Sequence, residues 1–190
     1  MKQNCHQELK AGRCYHIYNR GNNREIIFKE QMNYYYFLNL WWKYTEPIAK
    51  TFCYSLLPNH FHFFIRVENN VEPLQVSKAF SNLFNAYAKA INKKYVRTGS
   101  LFQERFRRKE VYCDKYFTKI ICYILTNPAK HGYCENSLTY EHSAYRELVC
   151  GKETKLLRDE VFNWFYDKET FMNLLRIFDG GIRPNRSKSC

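Results

Sequence analysis

Hydrophobic positions along this chain follow two periods, one near two residues and one near three and a half. Residues 15–19 read as a strand that ends in the turn Arg20-Gly21-Asn22-Asn23. Tyr34, Phe37, Leu38 and Trp41 then recur at spacings of three and four, which predicts a helix over 30–44, broken at Pro47. Residues 51–57 and 60–67 read as two strands joined by the turn Pro58-Asn59 and bounded by Asn69-Asn70. Val76, Phe80, Leu83, Tyr87 and Ile91 mark an amphipathic helix entered after Pro73. Arg97-Thr98-Gly99-Ser100 reads as a loop and 107–112 as a fourth strand. Asp114 is placed to cap a further helix running to about Thr126, where Asn127-Pro128 stops it.

This order of strand, helix, strand, strand, helix, strand and helix predicts an α+β fold. It matches the split β-α-β unit of ferredoxin-like folds, an antiparallel sheet with two helices on one face. The additional helix then has the opposite face available. Beyond Gly151, residues 156–165 and 169–178 read as two short helices, and 179–190 as a flexible basic tail. The expected organisation is a catalytic domain over 1–150, a helical appendage over 151–178, packed on the core or serving as a clamp or gate, and then the tail.

With 190 residues, 45% of them hydrophobic and 25% charged, the chain can build one core, which excludes a disordered chain, a collagen-like fibre and a low-complexity scaffold. Thirty Lys and Arg against 18 Asp and Glu leave a net charge of +12, which points to a polyanionic partner, nucleic acid first. Aromatic residues reach 18%, enough to pack a core and still leave rings on which unpaired bases could stack. No run of about 20 apolar residues exists to span a bilayer, and the first ten residues carry no apolar signal core. Eight scattered cysteines without a Cys-x-x-Cys pair argue against a structural zinc site or a disulfide framework. The expectation is a cytoplasmic protein with reduced thiols and no membrane partner.

The segment Leu57-Pro58-Asn59-His60-Phe61-His62-Phe63-Phe64-Ile65 carries the chemistry. Alternation along a strand puts His60 and His62 on one face and Phe61, Phe63 and Ile65 on the other, towards the helices. Two neutral imidazoles side by side can each give one nitrogen to a divalent cation, although the same pattern also occurs structurally. The helix over 114–126 presents Tyr123, with Asn127 four residues later on the same face. If that helix covers the free face of the sheet, Tyr123 and the Asn127 amide oxygen meet the histidine pair. A cation held there would polarise a scissile phosphate, and the Tyr123 hydroxyl could attack phosphorus and expel the 3′-oxygen. Asn127 is one candidate ligand; it could equally cap the helix end before Pro128. His16, on the same strand face as Tyr18 and Arg20, either lines this site or simply packs.

The same residues resemble the REP-associated tyrosine transposases, relatives of the insertion-sequence transposases in the single-tyrosine HUH class. The matching segments are, in order, Tyr15-His16-Ile17-Tyr18-Asn19-Arg20-Gly21, Leu57-Pro58-Asn59-His60-Phe61-His62 and Asn92-Lys93-Lys94-Tyr95. They continue with Gly99-Ser100-Leu101-Phe102-Gln103-Glu104-Arg105-Phe106 and Tyr123-Ile124-Leu125-Thr126-Asn127-Pro128-Ala129-Lys130-His131-Gly132. The resemblance covers roughly residues 13–146. It implies metal-dependent cleavage and joining of single-stranded DNA near hairpins, with Mg²⁺ or Mn²⁺ as cofactor and a covalent 5′-phosphotyrosine. It implies Tyr123 as nucleophile and His60 and His62 as metal ligands; the oligomeric state stays open between the dimer of insertion-sequence relatives and the monomer of REP-associated ones, with the monomer favoured, and no small-molecule substrate is expected. The chain departs from the pattern at Asn127, where related insertion-sequence enzymes carry Gln. It departs again at Lys130, where the family favours Arg, and at His142-Ser143-Ala144-Tyr145 in place of Trp-Ser-Ser-Tyr.

Between Lys93 and Lys119 lie Lys93, Lys94, Arg97, Arg105, Arg107, Arg108, Lys109, Lys115 and Lys119, offset by only three acids. Phe102 and Phe106 interleave with them and Gly99 allows a tight loop, which predicts a phosphate-tracking surface. Arg20 and Arg24, flanking Gly21, form a second candidate contact. Two other functions remain open: a non-catalytic hairpin-binding regulator with the same basic surface, and a plasmid-type relaxase or replication initiator. The short chain and the Asn-Pro pair after Tyr123 argue against the relaxase.

Overall fold

A computed structural model describes residues 8–180, with the side chains of Asp114 and Lys115 excepted. Four strands, β1 (Cys14–Arg20), β2 (Ala49–Leu57), β3 (His60–Val67) and β4 (Arg107–Val111), form one sheet in the order β2-β3-β1-β4. Every neighbouring pair is antiparallel. Helices α1 (Gln31–Thr45) and α2 (Pro73–Lys94) cover one face. Phe61 and Phe63 of β3 reach into that layer, where Phe63 stacks on Trp41 at 3.4 Å and Phe61 meets Phe37 and Phe84. Pro73 stands in the first turn of α2, where its missing N–H costs nothing.

The opposite face carries α3 (Asp114–Leu125); Cys113 holds the N-cap position without a side-chain capping bond, so Asp114, expected as the cap, is the first helical residue. α3 ends at Leu125 with Thr126 at its C-cap, where the sequence placed the stop, but the chain does not leave the helical path for long. Thr126 turns its hydroxyl onto the Cys122 carbonyl at 2.7 Å, and a short helix α4 (Asn127–Lys130) starts at once with Pro128 in its first turn. Proline breaks a helix interior but suits a new start, so the chain bends here instead of ending.

Helices α5 (Tyr145–Val149), α6 (Arg158–Trp164) and α7 (Lys168–Gly180) follow. They pack on the α3 side: Trp164 sits against Phe52 and Phe64 of the sheet and Phe117 of α3, and Phe165, Phe171 and Leu175 are buried in the same core. Asp179 and Gly180, expected in the tail, form the last turn of α7, and the rest of that segment, 181–190, lies outside the described residues. Gly21, after β1, is fixed by crowding. A Cβ there would stand 2.1 Å from the Glu25 carbonyl oxygen, so only glycine lets the 20–25 turn close.

Candidate active site

Strand pairing lays the site out as a grid. His62 faces Ser55 on β2 and Tyr18 on β1, and Tyr18 in turn faces Arg107 on β4. One step along, His60 faces Arg20; one step the other way, His16 lies between Phe64 and Lys109. Because side chains alternate, all of these project to the face under α3.

Both histidines are oriented through Nδ1. His60 Nδ1 lies 2.6 Å from Asn59 Oδ1, which also accepts from the Tyr133 hydroxyl at 3.2 Å, while Asn59 Nδ2 donates to the Arg24 carbonyl. An amide oxygen only accepts, so the His60 proton sits on Nδ1 and Nε2 keeps its lone pair. That lone pair faces Asn127 Oδ1 at 3.2 Å. Two acceptors then confront one another, while Asn127 Nδ2 is buried without a partner. Turning the amide over would pair Nδ2 with His60 and strand Oδ1 instead; a cation between Nε2 and Oδ1 uses both lone pairs. The Asn127 side chain thus points at the histidines and caps neither helix end.

His62 Nδ1 lies 2.9 Å from His16 Nε2, so the sequence question about His16 resolves towards the site. Burial holds all three imidazoles neutral. His16 is pushed down to about 3, with Lys109 adding to the effect, and His60 to about 4, with Asn127 opposing. His62 is held well below the usual range by burial and then by His16 and His60. Neutral rings are the form that can donate a lone pair.

Tyr123 lies across this pair, its ring 5.5 Å from that of His62 and 6.0 Å from that of His16, edge-on to both. Lys130, brought back by α4, sets Nζ 4.9 Å from the centre of the Tyr123 ring. His131 follows with its ring 4.7 Å from His60. Sequence reasoning gave neither residue a site role, because both lie past the expected helix stop; their spacing of seven and eight from Tyr123 would have been the signal had the helical path been continued. A cavity of about 290 Å³ opens here, lined by Arg20, His60, His62, Gln103, Arg107 and Tyr123 among others. Arg20 Nε is buried without a partner. Among the described residues, no three His, Cys, Asp or Glu side chains converge as a ligand set.

No protein-family model and no curated protein matches this chain. A solved structure does: that of a REP-associated tyrosine transposase bound to a REP hairpin, with a TM-score of 0.65 and 18% identity, covering 80% of this chain and 87% of that one. The two chains share a fold.

On this fold the expected DNA contacts separate. Arg20 and Arg107 line the cavity, and Lys109 stands on the same sheet face. Arg108 pairs with Ile17, projects to the other face and lies over the Phe106 ring at 4.3 Å. Arg24, Lys93 and Arg105 are exposed, Arg24 and Arg105 with positive φ. Lys94 is paired with Glu30, and Arg97 with Glu25 and Asn92. Phe102 and Phe106, expected to interleave with the cations at the surface, are instead 7% and 8% exposed and pack on Phe84 and its neighbours. The loop that carries them folds inward because two large rings gain more from the core than from water. Among the described residues, no helix is long and apolar enough to cross a membrane.

Proposed function

We propose that this protein nicks and rejoins single-stranded DNA near hairpins through Tyr123, as a metal-dependent HUH-type strand transferase. The observation that carries this reading is the placement of the Tyr123 ring against His62, in the wall of a cavity that it shares with His60, both imidazoles being neutral and anchored through Nδ1 and His60 facing the Asn127 amide. A fold shared with a transposase bound to a REP hairpin supports the partner. In the reaction the Tyr123 oxygen gives up its proton and forms a bond to phosphorus as the bond from phosphorus to the 3′-oxygen breaks, and the departing oxygen takes up a proton to leave as a 3′-hydroxyl. The product is a 5′-phosphotyrosine that conserves the phosphodiester for rejoining. The Lys130 ammonium over the Tyr123 ring favours the negative charge that develops on the phenol oxygen. Arg20 and Arg107, in the cavity wall, hold the phosphate backbone.

The residues fit a divalent cation. His60 Nε2, the free nitrogen of His62 and Asn127 Oδ1 form a mixed nitrogen and oxygen set, and the opposed acceptors of His60 and Asn127 favour a positive charge between them. Such an ion, Mg²⁺ or Mn²⁺, would act there as a Lewis acid on a phosphoryl oxygen.

The test is incubation with hairpin-bearing single-stranded DNA and Mn²⁺ or Mg²⁺, followed by a denaturing gel. A covalent adduct is expected, lost on chelation and in Tyr123→Phe. An adduct that persists in Tyr123→Phe overturns the nucleophile. Hairpin binding with no adduct under any condition would favour the non-catalytic regulator.

A further inference from the structure

A second cavity, of about 380 Å³, opens on the other side of Tyr123. It shares His62, Tyr18 and Tyr123 with the first, and adds Tyr116 and Lys119 from α3 and Lys109 from β4. The two hollows therefore meet at the residue proposed to react. Their walls differ. Beyond the shared residues, the first is lined by His60, His131, two arginines and two amides, and the second by Tyr116, His16, Ile120 and two ammonium groups. Lys109 Nζ donates to the Tyr116 hydroxyl at 2.8 Å and lies 5.0 Å from its ring centre, so the cation and the ring are held together at one edge. On the sheet side, the Tyr18 ring is stacked with that of His16 at 4.7 Å and that of His62 at 5.7 Å. Tyr116 is 39% exposed and, with Lys119 and Tyr123, forms the open side of α3.

We propose that this second cavity is a nucleotide subsite for the strand that crosses Tyr123, in which a base packs on the rings of Tyr18 and Tyr116 and its phosphate pairs with Lys109 and Lys119. Rings offer a face to any base and ammonium groups offer charge to any phosphate, so the subsite holds the strand without reading its sequence. Its ligand class is single-stranded DNA, and it rests on the reading that Tyr123 attacks a phosphate at the junction of the two hollows. One nucleotide seated here and the chain continuing into the first cavity would draw a phosphodiester across the phenol.

The test uses the full chain and a fluorescein-labelled DNA hairpin carrying a single-stranded oligo-dT flank, compared with the same hairpin whose flank is abasic. By anisotropy the wild type should bind the dT flank about tenfold more tightly, and an oligo-dA flank as well as dT. Tyr116→Ala should erase the difference between dT and abasic flanks. Lys119→Ala should weaken both and lower the slope of log affinity against log salt by about one. Both side chains are exposed on α3, so neither change empties the core. Equal binding of dT and abasic flanks by the wild type, or full discrimination retained in Tyr116→Ala, overturns the subsite. Adduct formation on a hairpin with randomised flanks separates the two readings. An adduct without flank discrimination removes the subsite and leaves the nucleophile. Discrimination without an adduct removes the nucleophile and leaves the subsite as a binding surface.

Discussion

His60 and His62 each have one ring nitrogen tied down and the other left towards the cavity, and the two anchors differ in kind: an amide oxygen for His60, a third imidazole for His62. Outer partners of this sort fix the tautomer that a metal ligand needs. Asn59→Ala is therefore expected to weaken Mn²⁺ binding about 10- to 100-fold in calorimetry while the fold is kept; unchanged affinity would show that His60 needs no such anchor. The same burial predicts a pH dependence. Burial lowers folded His16 to about 3 and His60 to about 4, whereas in the unfolded chain an imidazole takes up its proton near its ordinary 6.5. Below that value the unfolded state binds more protons, so metal-free stability is fully present above about pH 7 and declines as the pH falls towards 4. Urea denaturation at pH 7.5, 6 and 5 should show midpoints falling in that order, and a flat series would contradict the neutral histidine cluster.

Among the elements, β3 was the most legible, because its alternation of histidine with phenylalanine admits only one assignment of faces, and its span of 60–67 was read from the sequence as it stands in the fold. The junction of α3 and α4 was the least legible. Pro128 reads equally as a stop and as a first-turn residue, and in the fold it is both, since α3 ends at Leu125 and α4 starts at Asn127. That ambiguity hid Lys130 and His131 from the site. The basic run over 93–119 misled for a different reason: charge counts ignore strand alternation, which sends Arg107 and Lys109 to one face and Arg108 to the other. The interleaved rings belong to the core, which gives a direct measurement. Phe102→Ala should cost about 3–5 kcal/mol in unfolding free energy. Loss of DNA affinity with unchanged stability would return Phe102 to the binding surface.

For the molecule as a whole, a net charge of +12 would make the proposed association with DNA sensitive to salt, yet not every cation can contribute equally. Lys94 already has Glu30, whereas Arg107 lines the cavity beside Tyr123. Arg107→Ala should lower the log–log salt slope for a hairpin DNA by about one, and Lys94→Ala should leave it near the wild type; the reverse ranking would move the binding face to the far side of the sheet. The two layers around the sheet also come with separate optical labels. Trp164 leans on Phe117 of the helix that carries Tyr123, while Trp41 is stacked on Phe63 in the opposite layer. Any tilt of the tyrosine helix when a strand loads would alter the surroundings of Trp164 and leave Trp41 and its α1 neighbour Trp42 as an internal reference, so the unlabelled chain can report its own engagement by fluorescence.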